Sequence, residues 1–493
     1  MLSKDKQLVE YVKIPKEEYD KLLAEHEYLK NQLSELKRLV FGQKTERFIP
    51  EDSSIKQLSL FDNNNEEKTP IETTQVSYTK KVSNKEINKP VRKSLPPHLP
   101  RREEIIEPKG ITPEHKKIGE EITEILEMVP AKLYVRKIIR PKYINPQTEK
   151  IIVADLPSLP IPKGNAGASV LAHINVSKFV DHLPLYRQRQ IFKRFGYNVS
   201  ASTIGGWFSR SSLLLTPLYN ELQKSLFDKA NYLQVDESPI KVQDTDKKGK
   251  LHQGYMWVMR NPIKGLVLFK YNKGRNKAVP ERLFNDFNGT LQTDGYKVYQ
   301  RLQTKGEITL LGCMAHARRY FDKAKDNDYT RAQYVLTLIQ KLYAIERKAK
   351  EHQINTITLK RYRNVYALPI LNKLESWLKV NQVQVLPKSS IGRAINYTLN
   401  IFPNLKRYIE DGRYEIDNNM IENTIRPLAI GRKNYLFAGN HEAAKGYAMM
   451  YSFFATCKIN KVNPHDWLFD VLNKIQEYKL SELDELLPQN WKP

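Results

Sequence analysis

Cysteine is nearly missing from this 493-residue chain: Cys313 and Cys457 are all there is. Two thiols cannot build a disulfide framework, and they fall short of a four-cysteine zinc site. Long apolar runs are missing as well. No stretch approaches the roughly 20 residues that a membrane helix needs, and the N-terminus, MLSKDKQLVEYVK, has no apolar signal core. The expectation is a cytoplasmic protein with no membrane partner. The 21 glycines and 27 prolines are too few for a collagen-like chain, and 40% hydrophobic residues exclude a wholly disordered one. Acidic residues are scarce beside basic ones, 55 against 80, which leaves a formal charge of +25. Such a surplus attracts polyanions through counterion release, and nucleic acid is the first candidate. The length exceeds what one hydrophobic core serves and points to several modules.

Residues 1–48 hold a heptad seam, with Tyr19, His26, Leu33 and Val40 at one position and Leu22, Leu29 and Leu36 at the other. This predicts a short coiled coil and a homo-oligomer. Residues 49–103 read as a linker, first acidic and then basic, with Lys80, Lys81, Lys85, Lys89, Arg92, Lys93, Arg101 and Arg102 opposed only by Glu86 across residues 80–102. Residues 104–163 read as a small α+β module, with strands in EEIIEP, KLYVRKIIRPKYI and EKIIVAD around a helix near 117–127. Residues 164–225 are helical. Within them Gly196 suits a helix end and Ser200 or Ser202 a cap, so 184–210 is a helix-turn-helix candidate with Arg187, Arg189 and Arg194 as its DNA contacts.

Beyond residue 226 the pattern changes to strands. NYLQVDESPIKVQ, GYMWVMR and GLVLFKY predict an antiparallel meander, followed by a helix near 278–287, the strand GTLQTD, a further helix and the strand ITLLG. A mixed α/β sheet follows, its first part at 226–325, a helical insertion at 326–394, a second part at 395–440 and a helical tail at 441–493. Trp207 and Trp257 read as core aromatics. Three carboxylates stand out: Asp236 in the first strand, Asp294 before Gly295 at the end of the fourth, and Glu422 in a helix after Asp417, Asn418 and Asn419. Each alone has an ordinary role as a cap, a turn or a solvated side chain. Together, at one sheet edge, they can bind two hard divalent cations, Mg²⁺ or Mn²⁺, through oxygen and serve phosphoryl transfer.

Several blocks carry a wider likeness: FGQKTERF, QLSLF, DHLPLYRQRQIF, VDESP, LQTDGYKVY, GCMAHARRYF, DNNMIENTIRPLAIGRKNYLFAGN and DELLPQNW. In these the chain resembles transposases of the insertion-sequence 66 family. The resemblance implies an RNase H-like core with a DDE triad at Asp236, Asp294 and Glu422. It further implies double-stranded DNA as partner, both element ends and target, with small accessory proteins of the same element and a nucleoid-associated location. Relatives often carry paired cysteines for a zinc finger after the linker, yet residues 104–153 contain none, and His115 alone cannot hold zinc. No zinc is expected. Cys313 and His316 read as a structural pair near the site, and Arg318, Arg319, Arg426, Arg432 and Lys433 as cations that neutralise phosphates. The activity expected is DNA strand cleavage and strand transfer. A metal-dependent DNA nuclease or resolvase, and an inactive transposase-derived DNA-binding regulator, are the competing readings.

The heptad seam would leave its leucines in water if the helix stood alone, so removal of residues 1–48 is expected to lower the sedimenting mass. An unchanged mass would assign self-association to another segment.

Overall fold

Backbone geometry in the computed structural model is described for residues 133–136, 142–144, 151–153, 158–162, 164–244, 249–303 and 307–492. The heptad segment, the linker and the helix expected near 117–127 lie outside them. Strands β1 (Lys142–Ile144) and β2 (Ile151–Val153) pair antiparallel, with Lys142 opposite Val153. The strand expected over KLYVRKIIRPKYI does not reach back to residues 133–136, which take no strand conformation and leave Tyr134 and Val135 exposed.

Four helices come next: α1 (Ala168–Phe179), α2 (Leu185–Arg194), α3 (Ala201–Leu214) and α4 (Thr216–Phe227). Gly196, at φ +83°, turns the chain out of α2 in a conformation that costs glycine nothing. The Ser200 hydroxyl then accepts the Thr203 N–H at 3.0 Å and starts α3. Arg189, expected on DNA, instead donates Nε to the Val199 carbonyl at 2.9 Å and holds this turn.

The main sheet contains β3 (Tyr232–Gln243), β4 (Leu251–Asn261), β5 (Leu266–Asn272), β6 (Gly289–Gln292) and β7 (Ile308–Leu311) in the order β5-β4-β3-β6-β7. β3, β4 and β5 form the antiparallel meander, whereas β6 and β7 run parallel to β3. Parallel neighbours need crossovers. These are α5 (Ala278–Leu283), which stops short of the expected residue 287, and α6 (Lys297–Gln303). Met256, Trp257, Val258 and Met259 are all buried, so the centre of β4 is covered on both faces.

Helix α7 (Met314–Ala324) leads from β7 into α8 (Tyr329–Glu351), α9 (Thr356–Tyr366), α10 (Leu368–Gln382) and α11 (Ser390–Lys406). α11 runs on past residue 394, where the sequence reading ends its helical insertion. These helices share an apolar core built from Val335, Ile339, Leu371, Leu374, Ile395 and Phe402, distinct from the one beneath the sheet. α9 buries a single side chain, Arg363. Its guanidinium meets Glu346 through two bonds of 3.0 and 2.7 Å and donates to the carbonyls of Tyr408 and Asp411.

The chain ends with α12 (Asn419–Tyr435), α13 (His441–Ile459) and α14 (Pro464–Lys474). α13 is a core element rather than a tail. Its Thr456 and Ser452 hydroxyls accept the outward N–H groups of Val267 and Phe269 at 3.2 and 2.8 Å. The open edge of β5 is thereby covered, which removes a template for strand addition.

Replacing Arg363 by Met would leave Glu346 without its partner and remove the polar bonds of the one buried side chain of α9. The expected loss is about 3 kcal/mol in urea denaturation. A change below about 1 kcal/mol would show that α9 is held by other means.

Candidate active site

Gln234 of β3 is paired with Gln292 of β6. Asp236 and Asp294 each lie two residues further along these parallel neighbours, so the register carries both carboxylates to one level of the sheet. Beneath them the two glutamine side chains are buried and joined, Gln234 Nε2 donating to Gln292 Oε1 at 2.9 Å. Tyr232 donates to the same oxygen at 2.5 Å, and Gln292 Nε2 reaches the Glu415 carbonyl at 2.7 Å. This buried network ties β3 and β6 to the segment that opens α12. Beyond β6, Gly295 at φ +86° allows the turn, Asp294 Oδ1 accepts the Tyr296 N–H at 2.8 Å, and the Tyr397 hydroxyl donates to the Asp294 carbonyl at 2.6 Å.

Glu422 stands in the first turn of α12, and that helix is clamped along β3. Asp417, Asn418 and Asn419 all have capping side chains, but Asn418 at the cap position makes no side-chain cap bond. The buried Asn418 amide donates instead to the carbonyl of Val235, next to Asp236, at 3.1 Å. Asp417 provides the turn, its Oδ1 accepting the Asn419 N–H at 2.9 Å. Arg260 of β4 donates to the Met420 carbonyl and to Thr424, and Arg432 donates to Ser238 Oγ at 3.0 Å and the Pro239 carbonyl at 2.6 Å. Ala438 then adds a short parallel bridge to Val242. Asp236 and Glu422 are held together by backbone-anchored bonds rather than by contact between themselves.

His316 and Arg319 of α7 approach Glu422, with Nε2 to Oε1 at 3.9 Å and Nη2 to Oε2 at 3.5 Å. Cys313 takes a different direction. It is fully buried at the start of α7, its Sγ accepts the Asn418 N–H at 3.2 Å, and burial pushes its thiol up to about 12, outside the range of a thiolate ligand. The two residues both serve the Glu422 helix, one at its backbone and one at its carboxylate.

Burial, and then the charges of Glu237, Asp294 and Glu422, push the Asp236 carboxyl up to about 8, despite the bond it accepts from the Glu237 N–H. Glu237 belongs to this cluster and was not foreseen. Its side chain is 1% exposed, takes the Tyr299 hydroxyl at 2.7 Å and an ion pair from Arg275. The Arg275 guanidinium in turn lies 4.0 Å over the ring of Tyr296, two residues past Asp294. A second acid directly after a strand aspartate was the available signal in VDESP. Nothing in GRNK marked Arg275 as its partner.

Among the described residues no three His, Cys, Asp or Glu side chains converge closely enough to form a ready metal cluster. The carboxylates nevertheless suit a hard divalent cation. They repel one another with too little positive charge between them, and Glu422 Oε1 is buried without a hydrogen-bond donor. Of the expected phosphate contacts, Arg187, Arg194, Arg426 and Lys433 are exposed, Arg318 and Arg319 are half-buried, and Arg432 is committed to β3.

Comparison with known proteins decides the family. A family model described as "Transposase IS66 family" matches residues 163–446. The chain belongs to that family. A model described as "IS66 C-terminal element" matches residues 452–489, and one described as "Transposase C of IS166 homeodomain" matches 28–103, across the segment read as coiled coil and linker. The chain is 31% identical to the uncharacterized protein y4jD of Sinorhizobium fredii over 420 residues, covering 81% of each. It is 32% identical to y4qI of the same organism over 424 residues, covering 82% of this chain and 78% of the relative. As a transposase with a homeodomain-like N-terminal region it acts on DNA, and among the described residues no helix is long and apolar enough to cross a membrane.

A carboxyl raised on folding binds a proton that the unfolded chain gives up, so its stabilising share is complete at acid pH and lost as pH rises toward and through about 8. In EDTA the melting temperature is therefore expected to fall between about pH 5 and 9, and Asp236→Asn to flatten that fall. Parallel curves for the two proteins would place the titration elsewhere.

Proposed function

We propose that this transposase is a DDE enzyme that cleaves DNA at the ends of its insertion sequence and joins the freed end to a target. The observation that carries this reading is the placement of Asp236 and Asp294 at one level of adjacent parallel strands, with the Glu422 helix clamped to the first of them. A meander of three antiparallel strands extended by two parallel ones supports an RNase H-like core. The turn between α2 and α3, with Arg187 and Arg194 exposed at the two ends of α2, supports a helix-turn-helix contact to phosphates.

Asp236, Asp294 and Glu422 would hold two Mg²⁺ or Mn²⁺ ions. When bound, such ions supply positive charge to the attacked phosphoryl group and to the attacking and leaving oxygens. The protein's own share is to fix the carboxylates. The glutamine network sets the spacing of β3 from β6, Tyr397 fixes the turn at Asp294, and His316 with Arg319 orients Glu422. In the first displacement water attacks phosphorus and a 3′-hydroxyl leaves. In the second that 3′-hydroxyl attacks a target phosphodiester and expels its 3′ oxygen. Both are in-line exchanges at phosphorus, so one acidic site serves both.

Changing Asp236 or Asp294 to Asn, or Glu422 to Gln, keeps shape and removes a negative charge. A loss of about 4 kcal/mol in transition-state stabilisation means roughly thousandfold slower cleavage of an end-sequence duplex in Mg²⁺. Retention of that duplex in a gel should survive, since removing acid from a +25 chain does not weaken its attraction to phosphate. Wild-type cleavage by any one variant removes that residue from the site. Cut DNA that is never joined to a target plasmid selects the nuclease.

A further inference from the structure

Helix α12 turns Ile421, Thr424, Ile425, Leu428 and Gly431 inward. Its outer face is a single exposed row, Asn419, Asn423, Arg426, Ile430 and Lys433, at alternating steps of four and three. No acidic residue occurs from Asn423 to His441. The row begins beside Glu422 and ends in a strained turn. Leu436 has φ +66° and ψ −48°, and the Phe437 N–H donates to the Tyr435 carbonyl at 2.8 Å, which closes a γ-turn of the hand that L-residues avoid.

Neighbours on both sides impose this conformation. Tyr435 is packed beneath the Lys178 ammonium, 4.9 Å from its ring, and Ala438 is bonded to Lys241 and Gln243 of β3 at 2.9 and 2.8 Å. The consequence is that a leucine and a phenylalanine follow one another, 63% and 37% exposed, at the end of a row that carries Arg426 and Lys433 and no acid. Arg187 stands close by, its Nη1 3.5 Å from Asn434 Oδ1. The turn is needed to bring Ala438 to β3, but that task does not require two large apolar side chains in water, and their exposure points to use.

We propose that duplex DNA lies along the outer row of α12 and that Leu436 and Phe437 enter it as an apolar wedge between stacked base pairs. The claim rests on the reading of this chain as a DNA-cleaving transposase and adds what it does to the duplex. Amides and guanidinium groups suit base edges and phosphates, and leucine and phenylalanine are side chains that unstack a base step. Fourteen residues separate Glu422 from Leu436, a helical rise of about 21 Å at about 1.5 Å per residue. At about 3.4 Å per base pair the wedge enters about six base pairs from the cleaved phosphate.

The test uses the full chain and a duplex of its element's terminal sequence, with 2-aminopurine moved one position at a time away from the cleaved phosphate, in EDTA. Binding should raise the fluorescence several-fold at one step, about six base pairs along. The Leu436→Ser, Phe437→Ser double variant should bind within threefold and lose the rise, and Phe437→Trp should keep it. Equal signals for wild type and double variant at every position overturn the wedge. A fall from dimer to monomer mass in the double variant overturns it too, by giving this surface to a second copy of the chain. Cleavage of the same duplex in Mg²⁺ separates the two claims: cutting without the rise removes only the wedge, and the rise without cutting removes only the cleavage reading.

Discussion

The clamp between β3 and α12 is the constraint on which the site depends. Asp236 and Glu422 are far apart in sequence and repel each other, so no direct attraction brings them together. What does is a set of bonds that avoid the carboxylates: Asn418 to Val235 at one end, Arg260 to Met420 and Thr424 in the middle, and Arg432 with Ala438 at the other. Each is worth about 1 kcal/mol net, but most of the groups are buried or half-buried, and an unmet one would cost more than a made one gains. The helix is therefore fixed in register as well as in position, and its outer row is fixed with it.

A second consequence concerns charge. Burying Asp236 near Glu237, Asp294 and Glu422 opposes folding unless protons or cations intervene. Arg275 answers Glu237, and His316 and Arg319 approach Glu422, whereas the charges that act on Asp236 are those of Glu237, Asp294 and Glu422. The fold thus holds a deficit of positive charge at the level of the two aspartates. The same repulsion that makes the cluster unfavourable without cations would favour hard, doubly charged ions there.

Much of this was legible in the sequence where local rules govern. The meander followed from three apolar, β-rich runs, the turn at Gly295 from the glycine, and a serine cap at Ser200 or Ser202 from residue type, of which the structure uses Ser200. Asp236, Asp294 and Glu422 stood out as a combination, two strand-associated aspartates and one helical glutamate that the family resemblance implies as a triad, and the parallel register of β3 and β6 carries the first two to one level. What could not be read depends on distant partners. Asn418 looks like a cap by every local criterion and acts as a cross-brace. Arg275 becomes a partner of Glu237 only once β3 and the loop after β5 are neighbours. α13 looked peripheral because it comes last, and its serine and threonine spacing gains meaning only against the edge of β5.

Basic residues show the same limit most clearly, and they change how the +25 charge should be understood. Sequence assigned Arg189 and Arg432 to DNA with the same logic as Arg187 and Lys433. The structure spends the first two on backbone carbonyls of the α2–α3 turn and of β3, while the latter two remain on the surface. Guanidinium is suited to both tasks, since its planar fork satisfies carbonyls inside a protein as readily as phosphates outside it. A charge count therefore overstates the surface available to a polyanion. The exposed remainder is arranged rather than diffuse: on α12 it forms one row that starts at Glu422, so the element that carries a candidate ligand of the metals also carries the cations nearest in register to the phosphates they would act on.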